Sequence, residues 1–318
     1  MLRTDRMNRF LRRQYARGRR ANFGYWLPPD GVRLESKIAR TALPHILAAD
    51  ERRDTVLWPC LFNQWPDWTW GLQGTGDCVA WMVKHRLDVL LAVTIHSKLA
   101  RIKVPAQVVQ EAVYGFARVE HYGRPDYGGA GTYGSAAAHA IERFGILLRQ
   151  PYEGHDLTRY SGRRAIQWGR TGVPDELEPL AARHKAVDRV AVTDAETAGA
   201  LVQAGYPVDY CGHTSWGTQR DQDGFARRFA SGAHGVTITG VRYGSRPGFW
   251  VANTGHGHHV SGPVGPFPVP DVYAQCGSWV DWDRCERVFR AGDCFACSFV
   301  AGFPRMAVKD LGTQEYLG

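Results

Sequence analysis

The sequence predicts an α+β fold of two subdomains that meet at a cleft, because a helix-rich half precedes a strand-rich half. A long apolar segment begins at Cys78 and continues without Gly or Pro to about residue 98. Two strand-like runs joined by a Gly-containing turn follow at 235–243 and 249–253. The predicted parts are a basic arm at 1–20, an aromatic and proline-rich extension or strap at 21–71, and a domain at 72–318 made of a helical subdomain (72–154) and a β-rich subdomain (190–318).

Positive charge is concentrated in the first 20 residues. The chain has a formal net charge of +8, and this arm, with eight Arg and one Asp, contributes +7 of it. The remainder is nearly neutral, so the arm alone favours contact with nucleic acid or another acidic partner. A solvated tail, or a helix docked on the body, explains the same composition equally well. The arginines of the arm are Arg3, Arg6, Arg9, Arg12, Arg13, Arg17, Arg19 and Arg20.

Cysteine usage and hydropathy predict a protein with reduced thiols. The seven cysteines are an odd number, and no apolar segment follows the N-terminal arginines as in a secretory signal. No apolar run approaches the roughly 20 residues of a membrane helix, so no membrane contact is predicted. We therefore expect a cytoplasmic or particle-associated (virion) protein. Four cysteines contain only one close pair, which favours small buried side chains over a zinc site: Cys276, Cys285, Cys294 and Cys297.

Tryptophans and prolines dominate the extension at 21–71, which predicts an irregular strap with one short helix near 36–49. Such a strap either lies over the cleft as a pro-segment or packs its tryptophans on the body. The second arrangement is the simpler interpretation.

The helical half continues beyond the segment that begins at Cys78. A helix is expected at 105–120, where Pro stands in the first turn, and another at 135–144, which stops at a Gly. A glycine-rich loop at 126–131 separates them, and a turn is expected at 151–154. The following stretch, 155–185, is polar and poorly patterned, which predicts a surface connection.

The second half alternates turn residues with strand-like runs. A short helix at 194–204 leads into a strand at 207–210. The runs at 235–243 and 249–253 form a predicted hairpin, and a last strand is expected at 293–303.

A cysteine at a helix start is the centre of the functional prediction. Asp77 can cap the helix at 78–98, whose positive N-terminal end stabilises the thiolate form of Cys78. The helix is apolar nearly all round and is predicted to be central and buried. Its one polar side is expected at Lys84, His85 and Asp88.

A thiolate nucleophile needs a base, a group that orients the base, and a donor for the oxyanion. His234 lies at the start of one predicted strand and Asn253 at the end of the next, so the hairpin can bring them together. Gln73, just before Cys78, can direct its amide above the sulfur. Each residue also has a plainer explanation: a buried helix-start cysteine, a strand histidine and a strand-end asparagine.

The order of these motifs resembles the papain family of cysteine peptidases over about residues 70–255, with a looser match at 293–303. The motifs are Gln-Gly-x-Gly-Asp-Cys-x-Ala-Trp opening a long helix, a Gly-rich loop, a helix ending Phe-Gly-Ile, Pro-Tyr-Glu-Gly, Ala-His at a strand start and Asn closing the next strand. The resemblance implies a papain-like two-subdomain fold. It also implies that no cofactor is required.

Roles follow from the resemblance position by position. Cys78 corresponds to the nucleophile, His234 to the general base and acid, Asn253 to the residue that orients His234, and Gln73 to the oxyanion donor. The glycine-rich loop corresponds to the wall that pairs with an extended polypeptide substrate, through Gly128, Gly129 and Gly131.

Three departures from the family pattern are visible. Gln73 lies five residues before Cys78, one fewer than is usual. Thr254 and Gly255 stand where Ser-Trp commonly follows the Asn. Thr75 occupies the position of a usual half-cystine, which fits reduced thiols.

The leading hypothesis is therefore cysteine-dependent peptide-bond hydrolysis. A cell-wall amidase of the wider Cys/His group is a related alternative. A different alternative is an inactive assembly module whose basic arm binds nucleic acid or a large particle. The overall pattern is also similar to papain-like proteins of bacteria and their viruses. His256, His258 and His259 suggest a metal ligand set, but their Gly-rich context favours a loop at the cleft edge, and no metal site is predicted.

Overall fold

The computed structural model describes residues 37–38, 52–69, 71–96, 106–121, 123, 129–253, 260–291 and 293–301. Predictions for the basic arm, most of the strap, Gly128 and the residues directly after Asn253 therefore lie outside the described residues.

The described part of the chain contains helices of four to seventeen residues. They are α1 (Trp58–Gln64), α2 (Cys78–Thr94), α3 (Gln110–Arg118), α4 (Gly134–Arg143), α5 (Gly162–Thr171), α6 (Glu178–Ala181), α7 (Ala195–Gln203), α8 (Asp271–Ala274) and α9 (Trp282–Ala291). Strands concentrate after residue 186. They are β1 (Lys37–Ile38), β2 (Thr55–Val56), β3 (Pro151–Tyr152), β4 (His155–Asp156), β5 (Ala186–Val187), β6 (Val190–Ala191), β7 (Val208–Trp216), β8 (Phe229–Arg242), β9 (Gly248–Ala252), β10 (Gly277–Asp281), β11 (Phe295–Ala296) and β12 (Phe299–Val300).

The 14-residue strand β8 is the centre of the largest sheet. It pairs antiparallel with β7, β9 and β2, and β10 continues the sheet beyond β9. The predicted hairpin is present, since β8 and β9 pair directly and a short turn joins them. The last predicted strand is instead two short ones, β11 and β12, in two smaller sheets. This division into helices and an antiparallel sheet confirms the predicted α+β fold.

Helix α2 lies at the centre of the molecule, as predicted. All 17 of its residues are buried, between β7 and β8 on one side and α1, α3 and α4 on the other. The predicted polar side is wrong, because those side chains do not face solvent. Lys84 forms a buried ion pair with Asp88, and the His85 ring lies 3.1 Å from the Tyr273 hydroxyl. Burial of charged groups requires such partners.

The described part of the extension belongs to the body. Trp58, in α1, is fully buried and its indole N–H donates to the carbonyl of Pro268 at 2.9 Å. The Trp68 indole donates to Asp88 at 3.3 Å, and β2 is a strand of the central sheet. At residues 37–38 the structure forms a strand parallel to β6, not the helix predicted near 36–49.

The prediction of a surface connection at 155–185 is wrong. After the small hairpin β3–β4, helix α5 packs on α3 and buries Ala165 and Trp168. The Ser161 hydroxyl caps α5 by accepting from the Arg164 N–H at 3.2 Å. The chain here is a structural layer on the helical half, and the predicted turn at 151–154 lies inside the hairpin.

Helix α3 begins later than predicted because residues 106–109 are extended. Val108 forms a β-bridge with Leu148 and its N–H donates to Asp88 at 2.9 Å. None of the described helices is long and apolar enough to cross a membrane.

Candidate active site

Two neighbouring strands bring His234 and Asn253 together. His234 lies in β8, and Asn253 directly follows β9. The His234 Nε2 atom lies 2.6 Å from the Asn253 Oδ1 atom. The Asn253 backbone N–H donates to the Cys276 carbonyl at 2.7 Å, which fixes the end of β9. The pair predicted from the sequence is therefore formed in the structure.

The hydrogen bond to Asn253 determines where the His234 proton lies. An amide oxygen can only accept, so Nε2 must carry the proton. In the neutral ring, Nδ1 is then the basic nitrogen. The bond thus orients the imidazole and selects one tautomer.

Cys78 occupies the first position of α2, beside the strand that carries His234. The Gly235 backbone lies close enough to the Cys78 thiol to lower its pKa. A Cβ atom on Gly235 would lie 3.2 Å from the Val79 Cα atom, so glycine permits this close approach of β8 to the helix. The Thr237 hydroxyl fastens the two elements further by donating to the Met82 carbonyl at 2.9 Å. The Cys78 sulfur and His234 therefore belong to adjoining parts of the site.

Burial dominates the electrostatics of Cys78. The side chain is 0% exposed and His234 is 2% exposed. Burial raises the pKa of the Cys78 thiol well above its usual value, and the neighbouring Asp77 raises it further. Hydrogen bonds from the backbone, that of Gly235 first among them, lower the pKa by less than burial raises it. A thiolate here thus needs a positive partner.

Gln73 lies in the loop before α2 and is buried. Its amide nitrogen donates to the Thr75 carbonyl at 2.6 Å. This bond folds the side chain onto its own loop, which is one residue shorter than the family pattern. The amide nitrogen carries two hydrogens, so the bond uses part of its donor capacity. Its oxyanion role stays a prediction.

Asp77 stands at the N-cap position of α2, but its side chain makes no capping hydrogen bond, contrary to the sequence prediction. The Tyr160 hydroxyl instead donates to Asp77 Oδ2 at 2.9 Å. Burial, opposed in part by this hydrogen bond, raises the pKa of Asp77 to about 8, and Glu111 contributes to the rise. The first N–H groups of α2 are thus left without an Asp77 cap.

The glycine-rich loop is described from Gly129 onward. Gly129 is exposed, whereas the backbone of Gly131 already has partners: its N–H donates to the Tyr114 hydroxyl at 2.9 Å and its carbonyl accepts from Arg118. A cavity of about 240 Å³ lies beside this loop. Its lining comes from the loop, α3, α5 and the segment before Cys78, namely Thr75, Tyr114, Arg118, Gly129, Ala130, Ile166, Gly169 and Arg170.

Sequence reasoning missed Tyr160, which contacts the loop before Cys78. It lies in the stretch interpreted as a surface connection. A signal was nevertheless present, since Ser161 is a good N-cap and Ala165, Trp168 and Gly169 follow at helical spacing. A helix at 162–171 would have placed Tyr160 at a packed helix start.

All seven cysteines are free thiols. Within the ranges that the structure describes, no three His, Cys, Asp or Glu side chains gather as metal ligands. The three histidines at 256, 258 and 259 lie outside those ranges.

Solved structures with a similar fold are cysteine proteases, although no protein-family model and no curated protein matches the sequence. Xylellain, a cysteine protease from Xylella fastidiosa, is 15% identical with a TM-score of 0.56 and covers 88% of this chain and 96% of that one. Procathepsin B S9 from Trypanosoma congolense is 12% identical with a TM-score of 0.51 and covers 92% of this chain and 89% of that one. Digestive procathepsin L2 from Tenebrio molitor larval midgut is 14% identical with a TM-score of 0.50 and covers 87% of this chain and 78% of that one.

These three proteins come from different organisms, so the likeness does not support the predicted bacterial or viral origin. The likeness extends over most of both chains in each case. The chain therefore has the papain-like fold that the sequence motifs predicted.

Proposed function

We propose that the protein is a cysteine peptidase that hydrolyses polypeptides with Cys78 as the nucleophile. The observation that carries the proposal is the 2.6 Å His234–Asn253 hydrogen bond next to a cysteine at a helix start. The papain-like fold and the protease function of the structural neighbours support the same conclusion.

His234 Nδ1 takes the Cys78 proton, and the sulfur attacks the peptide carbonyl to form a C–S bond. His234 then protonates the leaving amine as the C–N bond breaks. Water attacks the resulting thioester, His234 accepts a proton from it, and the carboxylic acid and the Cys78 thiol are released. Asn253 keeps the imidazole oriented throughout.

Because Cys78 is buried, its thiolate form depends on the positive charge of a protonated His234. The thiol pKa is raised because a lone thiolate is poorly solvated there. A protonated His234 beside the sulfur offsets that penalty, so proton transfer forms an ion pair and not an isolated anion. The uncapped N–H groups at the start of α2, together with Gln73, are candidate donors to the oxyanion.

Labelling by an epoxide or vinyl-sulfone thiol probe tests the proposal. We expect the probe to label wild-type protein at Cys78 and to inhibit cleavage of unfolded casein. Cys78→Ala should neither react at that position nor cleave casein. Cys276→Ala is the matched control, because Cys276 is the one cysteine that is not fully buried and only its backbone carbonyl, which the substitution keeps, bonds to Asn253. Equal labelling of Cys78→Ala and wild type would contradict the proposal.

The two alternatives gain no support of their own. The structural neighbours are proteases, which favours peptide cleavage over the cell-wall amidase. An assembly module would not need a buried His–Asn pair. Binding of the basic arm to nucleic acid or an acidic partner rests on sequence alone.

A further inference from the structure

We propose that Tyr160 is a positioning residue that clamps the loop 74–78 and thereby holds Cys78 in its reactive place. The inference rests on the proposed function for its activity readout, but the geometry of the clamp stands by itself. Tyr160 comes from the segment between β4 and α5, and the loop it holds leads directly into α2.

The Tyr160 hydroxyl contacts both ends of this loop. It accepts from the Gly74 N–H at 2.9 Å and donates to the Asp77 carboxyl at 2.9 Å. One oxygen atom thus joins the Gly74 backbone to the Asp77 side chain, and these two residues bracket Thr75 and Gly76. Loss of the hydroxyl removes both bonds at once.

Close packing reinforces the two hydrogen bonds. The Tyr160 ring lies edge-on to the Trp81 indole, with ring centroids 4.9 Å apart. A Cβ atom on Gly74 would lie 2.9 Å from the Gly162 Cα atom, so the two backbones touch. The loop is therefore held between the first turn of α2 and the start of α5.

The segment that carries Tyr160 is anchored on α3. Glu111 is fully buried, and its Oε1 accepts from the Ser161 N–H at 2.9 Å. Arg149 and Arg164 pair with the same carboxylate at 2.5 Å and 3.2 Å. The residue after Tyr160 is thus fixed to the helical half, and Tyr160 cannot follow the loop if the loop moves.

Asp77 is available to the clamp because it does not cap α2. Its position immediately before Cys78 means that any shift of Asp77 displaces the nucleophile. Displacement by about 1 Å costs on the order of 100-fold in rate when reacting atoms must meet in one geometry.

The test is Tyr160→Phe, which keeps the ring contact with Trp81 and removes only the hydroxyl. We expect kcat on a peptide substrate to fall about tenfold with little change in KM, because two hydrogen bonds hold the reacting group and not the substrate. The rate of Cys78 alkylation by iodoacetamide should fall in parallel. Tyr152→Phe is the matched control: its hydroxyl also accepts a backbone N–H, from Leu148 at 3.0 Å, but it does not touch the loop.

Equal kcat and equal alkylation in Tyr160→Phe and wild type would overturn the proposal, and so would an equal loss in Tyr152→Phe. Hydrogen exchange in the unaltered protein gives a reading that needs no variant. We expect the Gly74 amide to exchange slowly, and exchange at the rate of an open loop would refute the clamp. If wild-type protein cleaves no peptide, the proposed function fails, while alkylation and exchange still decide the clamp.

Discussion

The two sides of the candidate site are built in different ways. On the strand side, His234 and Asn253 are held by the regular pairing of β8 with β9 and by one hydrogen bond between their side chains. On the helical side, Cys78 follows a short irregular loop that Tyr160, a residue 82 positions later, holds in place. Strand pairing fixes a residue through its own neighbours, whereas a loop needs a partner from elsewhere in the chain.

This difference predicts how each side fails. Changes on the strand side should remove a chemical group while the backbone stays in place, because the ladder of β7, β8 and β9 does not depend on the side chains of the pair. Changes on the helical side should move the loop and lower both stability and activity.

The largest effect is expected for His234→Gln, which replaces the base with a neutral amide of similar length. We expect kcat/KM to fall on the order of 1,000-fold, the usual contribution of a positioned general base. The thermal midpoint should change little. His155→Gln is the control, since His155 lies in the hairpin β3–β4 and pairs with Glu176 at the surface. A loss below tenfold in His234→Gln would contradict the assignment.

On the helical side, Asp77→Asn should change the pH dependence of stability. Burial raises the pKa of Asp77 to about 8, while the same carboxyl in the unfolded chain titrates near 4. Between these values the folded protein holds one more proton than the unfolded chain, so the unfolding free energy of wild type falls as the pH rises. Asn cannot titrate and lacks this slope.

The unfolding free energy of wild type is expected to fall relative to that of Asp77→Asn by about 1.4 kcal/mol per pH unit, or about 3 kcal/mol from pH 5 to pH 7. Urea unfolding of wild type and Asp77→Asn at pH 5, 6 and 7 measures it. Asp67→Asn, at an exposed carboxylate, is the control. Parallel stability profiles for Asp77→Asn and wild type would show that Asp77 is ionised in the folded protein.

Asn253→Ala should have a smaller effect on activity than His234→Gln, because the base remains and only its orientation is lost. We expect kcat to fall about 10- to 100-fold without a comparable change in KM. Asn63→Ala, at an exposed position of α1, is the matched control. An unchanged kcat in Asn253→Ala would mean that the strands alone orient the imidazole.

The same contrast explains what the sequence could reveal. His234 and Asn253 were predicted at the start and the end of neighbouring strands, because turn residues mark those positions. In the structure His234 lies inside β8, which begins earlier than predicted, at Phe229. Motif order was nevertheless sufficient to predict that His234 and Asn253 meet. Tyr160 and Asp77 meet across 83 residues through one hydrogen bond. No local pattern encodes that contact, because it depends on how α5 packs on α3.

Buried polar side chains were the other reason why a prediction from the sequence differed from the structure. Lys84, His85 and Asp88 looked like the exposed side of α2, since charged residues usually face water. In the structure their partners come from the extension, the 106–109 segment and α8, which periodicity within α2 does not reveal. Helix existence was therefore predictable, while the exposure of its polar side chains was not.

The smallest effect is expected when two helix caps are removed, one on each half of the molecule. Comparing these two variants tests directly whether a helix cap on the helical half also supports the site. The Ser161 hydroxyl caps α5, next to Tyr160, and the Asp194 carboxylate caps α7 on the other half by accepting from the Thr197 N–H at 2.8 Å. Replacing either residue with Ala should cost about 1 kcal/mol of unfolding free energy. Only Ser161→Ala should also lower kcat, since fraying of α5 loosens the segment that carries Tyr160. Urea unfolding and steady-state kinetics on both variants measure the two quantities. Equal kcat in the two variants would show that Tyr160 holds the loop whether or not its helix is capped.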